Sequence, residues 1–175
     1  MNKLGETIGK ICEILLPIPE EFYIGNLNSS ICICTLSSIQ LLKEFKNSRI
    51  IDNFAIVGRL FSENKGIDSI IKYVNQNRKI KTIIVCGKEV WGHKSGHSLF
   101  QLHKNGIDEN NRIINSISPD PFLTASKSEI QYFQKEITLV NLIGETNIEL
   151  IINKIKLITI FLSFMINLIL LFVFI

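Results

Sequence analysis

The sequence predicts an α/β fold: a Rossmann-like open, mostly parallel sheet with flanking helices, followed by one C-terminal transmembrane helix. Three observations carry this expectation. Short apolar, β-branched runs alternate with segments of helical period along most of the chain. The run Ile83-Ile84-Val85 is continuously apolar, as a parallel strand covered on both faces should be. Finally, Leu157 to Ile175 carries no charged residue.

In chain order, the first thirty residues read as irregular, because Pro17, Pro19, Gly25, Asn26 and Asn28 interrupt any long element. Ile31 to Leu36 is a short buried strand, and Ser37 or Ser38 caps a helix running through Gln40 to Phe45. Phe54 to Val57 forms a strand ending at Gly58. From Gly66 to Asn77, the residues Ile67, Ile70, Ile71 and Val74 recur at helical spacing on one face, and Asp68 suits the dipole of the first turn. Ile80 to Cys86 is a strand, and after the loop Gly87 to Gly92 a helix runs from about Lys94 to Lys104, stopped by Asn105-Gly106. Ser126-x-x-Glu129 is a capping box, Ile137 to Ile143 a strand, and Thr146-x-x-Glu149 caps a last helix.

Length bounds the organisation. A chain of 175 residues has room for one domain and an anchor, placed here at 1–148 and 149–175. The apolar run from Leu157 would reach roughly 28 Å as a helix, enough for a bilayer core. Lys154 and Lys156 precede it and nothing basic follows. The positive-inside rule therefore expects a single-pass protein in the cell membrane with its N-terminal domain cytoplasmic. Met1 to Glu6 leads into a charged, interrupted segment and does not read as a signal peptide.

A net charge of +3 gives no argument for nucleic acid, and Lys72, Arg78, Lys79 and Lys81 read as a solvated face. Cys12, Cys32, Cys34 and Cys86 form no CxxC pair, and Cys32 and Cys34 share one strand face. Buried reduced thiols are the expectation.

Ligands of open α/β sheets bind beyond the carboxyl ends of the strands. That selects Gly58 to Gly66 and Gly87 to His97, the second of which holds the only tryptophan and two of the three histidines. No GxGxxG follows a strand, and no Walker motif is present. A zinc site from His93 and His97 with Glu89 or Cys86, the basis for a zinc-dependent hydrolase, lacks a third ligand at a known spacing. Two solvated histidines are a further reading. The remaining one is a single histidine reaching a cofactor metal, with Gly92 and Gly96 letting a flat macrocycle approach the backbone. Corrinoid proteins of the B12-binding fold use Asp-x-His-x-x-Gly, in which the Asp orients the histidine. Here His93 and Gly96 are kept, and Trp91 stands in place of the Asp.

Between Tyr23 and Ile143, the motifs Cys34-Thr-Leu-x-Ser38, Ser62-Glu-Asn-x-Gly66-Ile67, Cys86-Gly-Lys-Glu-Val-x-Gly-His93, Ser98-Leu99, Leu102-His103-x-Asn-Gly-Ile-Asp108 and Pro121-Phe122 resemble one family. That family is the A subunit of tetrahydromethanopterin S-methyltransferase, which carries the corrinoid in a membrane complex of methanogenic archaea. The resemblance implies that a methyl group passes from methyl-tetrahydromethanopterin, through the cobalt of a cobamide (5-hydroxybenzimidazolylcobamide or a related corrinoid), to coenzyme M. Sodium export is coupled to the transfer. The partners it implies are the other subunits of the complex and the membrane.

The resemblance further implies His93 as the axial cobalt ligand and methylation-state switch, because methyl-Co(III) accepts an axial nitrogen that Co(I) releases. Around it, Gly58, Ser62, Glu63, Asn64, Gly66, Gly87, Gly92, Gly96, His97, Pro121 and Phe122 are the expected cofactor-binding residues. The chain departs from the family pattern at Asn26, Trp91, His97 and Asp120 and has almost no polar linker after Ile143. A membrane-tethered corrinoid-binding paralogue without catalytic partners is therefore the alternative.

Overall fold

The computed structural model describes residues 22–157. Its five strands are β1 (Phe22–Ile24), β2 (Ile31–Cys34), β3 (Ile56–Gly58), β4 (Thr82–Gly87) and β5 (Thr138–Ile143). They lie in the order β1-β3-β2-β4-β5. The pairs β2/β3, β2/β4 and β4/β5 are parallel, and β1 runs antiparallel to β3 at the edge. The helices are α1 (Ile39–Asn47), α2 (Lys65–Gln76), α3 (Ser95–Asn105), α4 (Lys127–Glu136) and α5 (148–157), with a 3-10 turn at Arg49–Asn53.

Alternation along the strands builds two cores. Cys32 and Cys34 point to one face, where Ile67, Ile71 and Val74 of α2, Leu99 of α3 and Phe133 of α4 pack. Ile33 and Ile84 point to the other, against Leu41, Leu42 and Phe45 of α1 and Ile151 of α5. The connection from β2 to β3 thus crosses one face, and that from β3 to β4 crosses the opposite face. The winding reverses at β2, so the crevice of the sheet opens at the carboxyl end of β2, which the loops that follow β3 and β4 flank.

Local signals explain the boundaries. Asn64 caps α2 through Lys65 N–H (2.6 Å), and Gly106 ends α3 at φ +72°. Both halves of the Ser126/Glu129 capping box form at the start of α4. Ser38 precedes α1 without capping it; its hydroxyl accepts instead from Lys88 N–H (2.8 Å). The stretch before residue 30 is less irregular than expected, since Phe22–Ile24 pairs with β3 as an edge strand.

The C-terminal expectation is corrected. Among the described residues no helix is long and apolar enough to cross a membrane. α5, expected to lead into a membrane span, instead turns Ile151 and Ile155 into the core beneath the sheet. It keeps Glu149, Asn153 and Lys154 on its outer side, where Lys154 pairs with Glu145 at 3.2 Å. Residues 158–175, the body of the expected span, lie outside the described residues. The architecture is an α/β fold with a five-stranded mixed sheet, and the expected transmembrane helix and single-pass placement find no support in it.

Candidate functional site

The loops after β3 and β4 meet over the carboxyl end of β2. Ser95 Oγ, buried at the start of α3, donates to Leu60 O (2.9 Å). At the β2 end, Thr35 N–H donates to Gly58 O (2.8 Å), and Ser37 Oγ donates to Lys88 O (2.7 Å). Gly87 at φ +81° turns the chain where a Cβ would run into the Thr35 carbonyl oxygen, so only glycine fits there.

Glu89 organises the next turn. Oε1 accepts from Val90 N–H (2.8 Å) and Gly96 N–H (3.0 Å), and Oε2 accepts from His97 N–H (2.8 Å). One carboxylate therefore satisfies orphan donors at the start of α3 and clamps both ends of the segment carrying His93. Gly92 (φ +84°) and Lys94 (φ +49°) bracket His93 in left-handed backbone.

His93 projects half into solvent, with 53% of its side chain exposed. Its Nδ1 lies 2.8 Å from Oε2 of Glu63, a carboxylate only 1% exposed. The other oxygen of Glu63 accepts from Asp120 N–H (3.0 Å), and Asn64 Nδ2 donates to Asp120 Oδ2 (2.9 Å). A carboxylate in that position holds the proton of the imidazole on Nδ1 and leaves the lone pair on Nε2. Nε2 takes no hydrogen bond among the described residues. Where the motif's Asp is missing at Trp91, a carboxylate reaches His93 from the loop after β3, on the far side of β2.

The other expected residues divide. Glu63, Asn64 and His93 form one network. Gly92 is open, with nothing within 4 Å of an added Cβ, whereas Gly96 is buried and a Cβ there would meet Glu89 Oε2 and Ile143 Cδ1, both at 2.9 Å. Gly96 thus packs closely against Glu89 and Ile143. His97 is partly buried, its Nε2 3.4 Å from Gln101 Nε2. Gly58, Ser62 and Gly66 line a mainly apolar cavity of about 610 Å³ between α2 and the β1–β3 edge, which His93 does not line. Pro121 is buried and Phe122 exposed, on the loop that Asp120 ties to Glu63.

The zinc set does not assemble. Glu89 is engaged by three backbone donors, Cys86 packs on the face of the sheet with α1 and α5, and no group of three His, Cys, Asp or Glu among the described residues is placed to hold a metal ion. Burial pushes the Cys32 and Cys34 thiols up to about 12, so neither is a ready thiolate ligand.

Residues 15–160 match the family described as the A subunit of tetrahydromethanopterin S-methyltransferase. The chain belongs to this family. It is 36% identical over 149 residues to the A subunit of a putative Mtx methyltransferase of Methanosarcina barkeri, covering 84% of this chain and 71% of that one. A protein of the same name in Methanosarcina acetivorans is 38% identical, over 77% of this chain and 64% of its own. Tetrahydromethanopterin S-methyltransferase A subunit 1 of Methanothermobacter thermautotrophicus is 33% identical, over 78% of this chain and 56% of its own. The chain is thus a methyltransferase A-subunit homologue that spans between about half and seven tenths of its relatives' lengths.

The group that the resemblance implies, a corrinoid, fits the site of this A-subunit homologue. The imidazole is oriented through Nδ1, its Nε2 is unengaged, and Gly92 beside it leaves open space.

Proposed function

We propose that this chain is the corrinoid carrier of a methyltransferase complex, with His93 Nε2 as the axial ligand to cobalt. The single observation that supports it is the buried Glu63 carboxylate on His93 Nδ1, the arrangement by which proteins orient a metal-binding imidazole. When bound, the corrinoid supplies a cobalt centre that accepts a methyl group and passes it on. The chain's own residues do the rest. Glu63 fixes the tautomer of His93, Glu89 closes the loop that carries it, and Asn64 with Asp120 holds Glu63 from below. If His93 holds one state of the bound group better than another, its position would follow the state of the cargo.

In this reading the methyl donor is methyl-tetrahydromethanopterin and the acceptor coenzyme M, and the other subunits couple the transfer to sodium ion export. A second reading is favoured by the identities themselves. The two relatives named for the Mtx methyltransferase are 36% and 38% identical, against 33% for the tetrahydromethanopterin-named one. A carrier in a paralogous methyltransferase, with a different donor or acceptor, accounts for that difference.

The visible spectrum of the purified chain with hydroxocobalamin tests the carrier role. A histidine-ligated Co(III) spectrum that disappears in His93→Ala is expected. Protein that stays colourless after gel filtration overturns it. Methyl transfer from methyl-tetrahydromethanopterin to coenzyme M, with partner subunits added, then separates the two readings.

A further inference from the structure

We infer that Trp91 covers the edge of the corrinoid on the His93 side, a contact that rests on the carrier reading above. The indole is 93% exposed, the most exposed of the large apolar side chains among the described residues. Indole surface left in water forfeits burial that a flat apolar partner would recover. Its position identifies that partner. Trp91 stands two residues before His93, so their Cα atoms are separated by at most about 7 Å. A flat macrocycle held by His93 would extend past that distance, which puts its edge within reach of the indole.

The backbone between them is suited to the approach. Gly92 has open space around its missing side chain, so no side chain at that position stands in the way of a ligand. The 117–122 loop is tied to the same segment. Ser118 Oγ donates to Lys94 O (3.2 Å), and Glu63 links His93 to Asp120 N–H. These two ties hold the 117–122 loop against the histidine, and that loop exposes Ile117 (69%) and Phe122 (45%). The loop tied to the histidine thus exposes apolar side chains of its own, while Glu63 and Glu89 are turned inward onto hydrogen-bond donors. Apolar surface beside His93 would help exclude water from the bound group.

Full-length chain is titrated with hydroxocobalamin by visible spectroscopy, and hydroxyl-radical labelling of the Trp91 peptide is followed by mass spectrometry with and without the corrinoid. Labelling of Trp91 is expected to fall severalfold on binding. Trp91→Ala should keep the histidine-ligated Co(III) spectrum and raise Kd by about tenfold, with Trp91→Phe in between. A wild-type chain that forms the spectrum with unchanged Trp91 labelling, or a Trp91→Ala chain whose Kd is within twofold of wild type, overturns the inference and leaves the carrier reading standing. Protection of Trp91 that appears only when a partner protein is added also overturns it, in favour of a protein contact. No histidine-ligated spectrum in the wild type overturns the carrier reading itself, and the inference with it.

Discussion

His93 and Glu63 lie thirty residues apart in the chain and meet at 2.8 Å, Nδ1 against Oε2. The imidazole is half in water and the carboxylate is buried. A buried carboxylate is costly unless its oxygens are satisfied, and here each oxygen has one donor, His93 and Asp120 N–H. The pair therefore transmits constraint in both directions: the loop after β3 orients the histidine, and the histidine helps satisfy the acid.

Replacing Glu63 tests this. In Glu63→Gln the side chain keeps its volume and one carbonyl acceptor, but one of the two positions now holds an amide donor. If the amide faces Nδ1, the imidazole must put its proton on Nε2, the nitrogen needed for a metal. The affinity for hydroxocobalamin through His93 should fall about 10- to 100-fold, measured by the Co(III) spectrum. The thermal midpoint should move by only a few degrees. Glu63→Ala should lose both ligation and stability, because it leaves a cavity and an unpaired Asp120 N–H.

Much of this arrangement is legible in the sequence, for local reasons. The parallel strands and four of the helices follow from periodicity and from caps such as Ser126/Glu129, and the crevice rule selects both loops without any knowledge of contacts. The Glu63–His93 pair is not readable from spacing, because only the packing of β2 between β3 and β4 brings the two loops together. Nor is β1, whose three residues pair with β3 through a long-range register. The last helix misleads because its apolar face reads the same whether it lies under a sheet or leads into a longer apolar run; Ile151 and Ile155 settle its described part into the core. At Gly96 the motif suggests room for a ligand, and the room is filled by Glu89 and Ile143.

Glu89→Ala removes the acceptor shared by the backbone N–H groups of Val90, Gly96 and His97. Hydrogen bonds to a charged group are worth about 1.5–3 kcal/mol each and do not add simply. A loss of roughly 2–3 kcal/mol in urea unfolding is expected. Glu89→Gln should recover part of it, since one oxygen remains. Histidine ligation of Co(III) should weaken in parallel, because the segment between Val90 and Gly96 loses its clamp.

Two glycines of the same loop should respond differently to alanine. Both have left-handed backbone, φ +81° at Gly87 and +84° at Gly92, so each substitution carries a strain of about 1 kcal/mol. At Gly92 nothing else stands within 4 Å, and the cost should stop there. At Gly87 the new methyl meets the Thr35 carbonyl oxygen and the Ser38 side chain. Gly87→Ala should therefore lose at least about 3 kcal/mol, or fail to fold. Comparing urea midpoints of the two variants checks this, with Gly92→Ala as the internal control for strain alone.

The thiols buried on the two faces of the sheet set the behaviour at high pH. Burial, the largest cause in each case, pushes Cys32 and Cys34 up to about 12 and Cys86 higher still, from an ordinary value of 9.0. The sign follows directly: the folded chain holds these protons more tightly than the unfolded one. Their contribution to stability is complete below pH 9 and is lost as pH climbs from 9 toward 12. Urea midpoints should accordingly hold between about pH 7 and 9 and fall beyond it, less steeply in a Cys32→Ala/Cys34→Ala chain than in the wild type. At about pH 8 the peptides containing Cys32, Cys34 and Cys86 should resist iodoacetamide in the native protein and react fully in urea. Rapid native labelling of those peptides would show that the strands open far more readily than their packing implies.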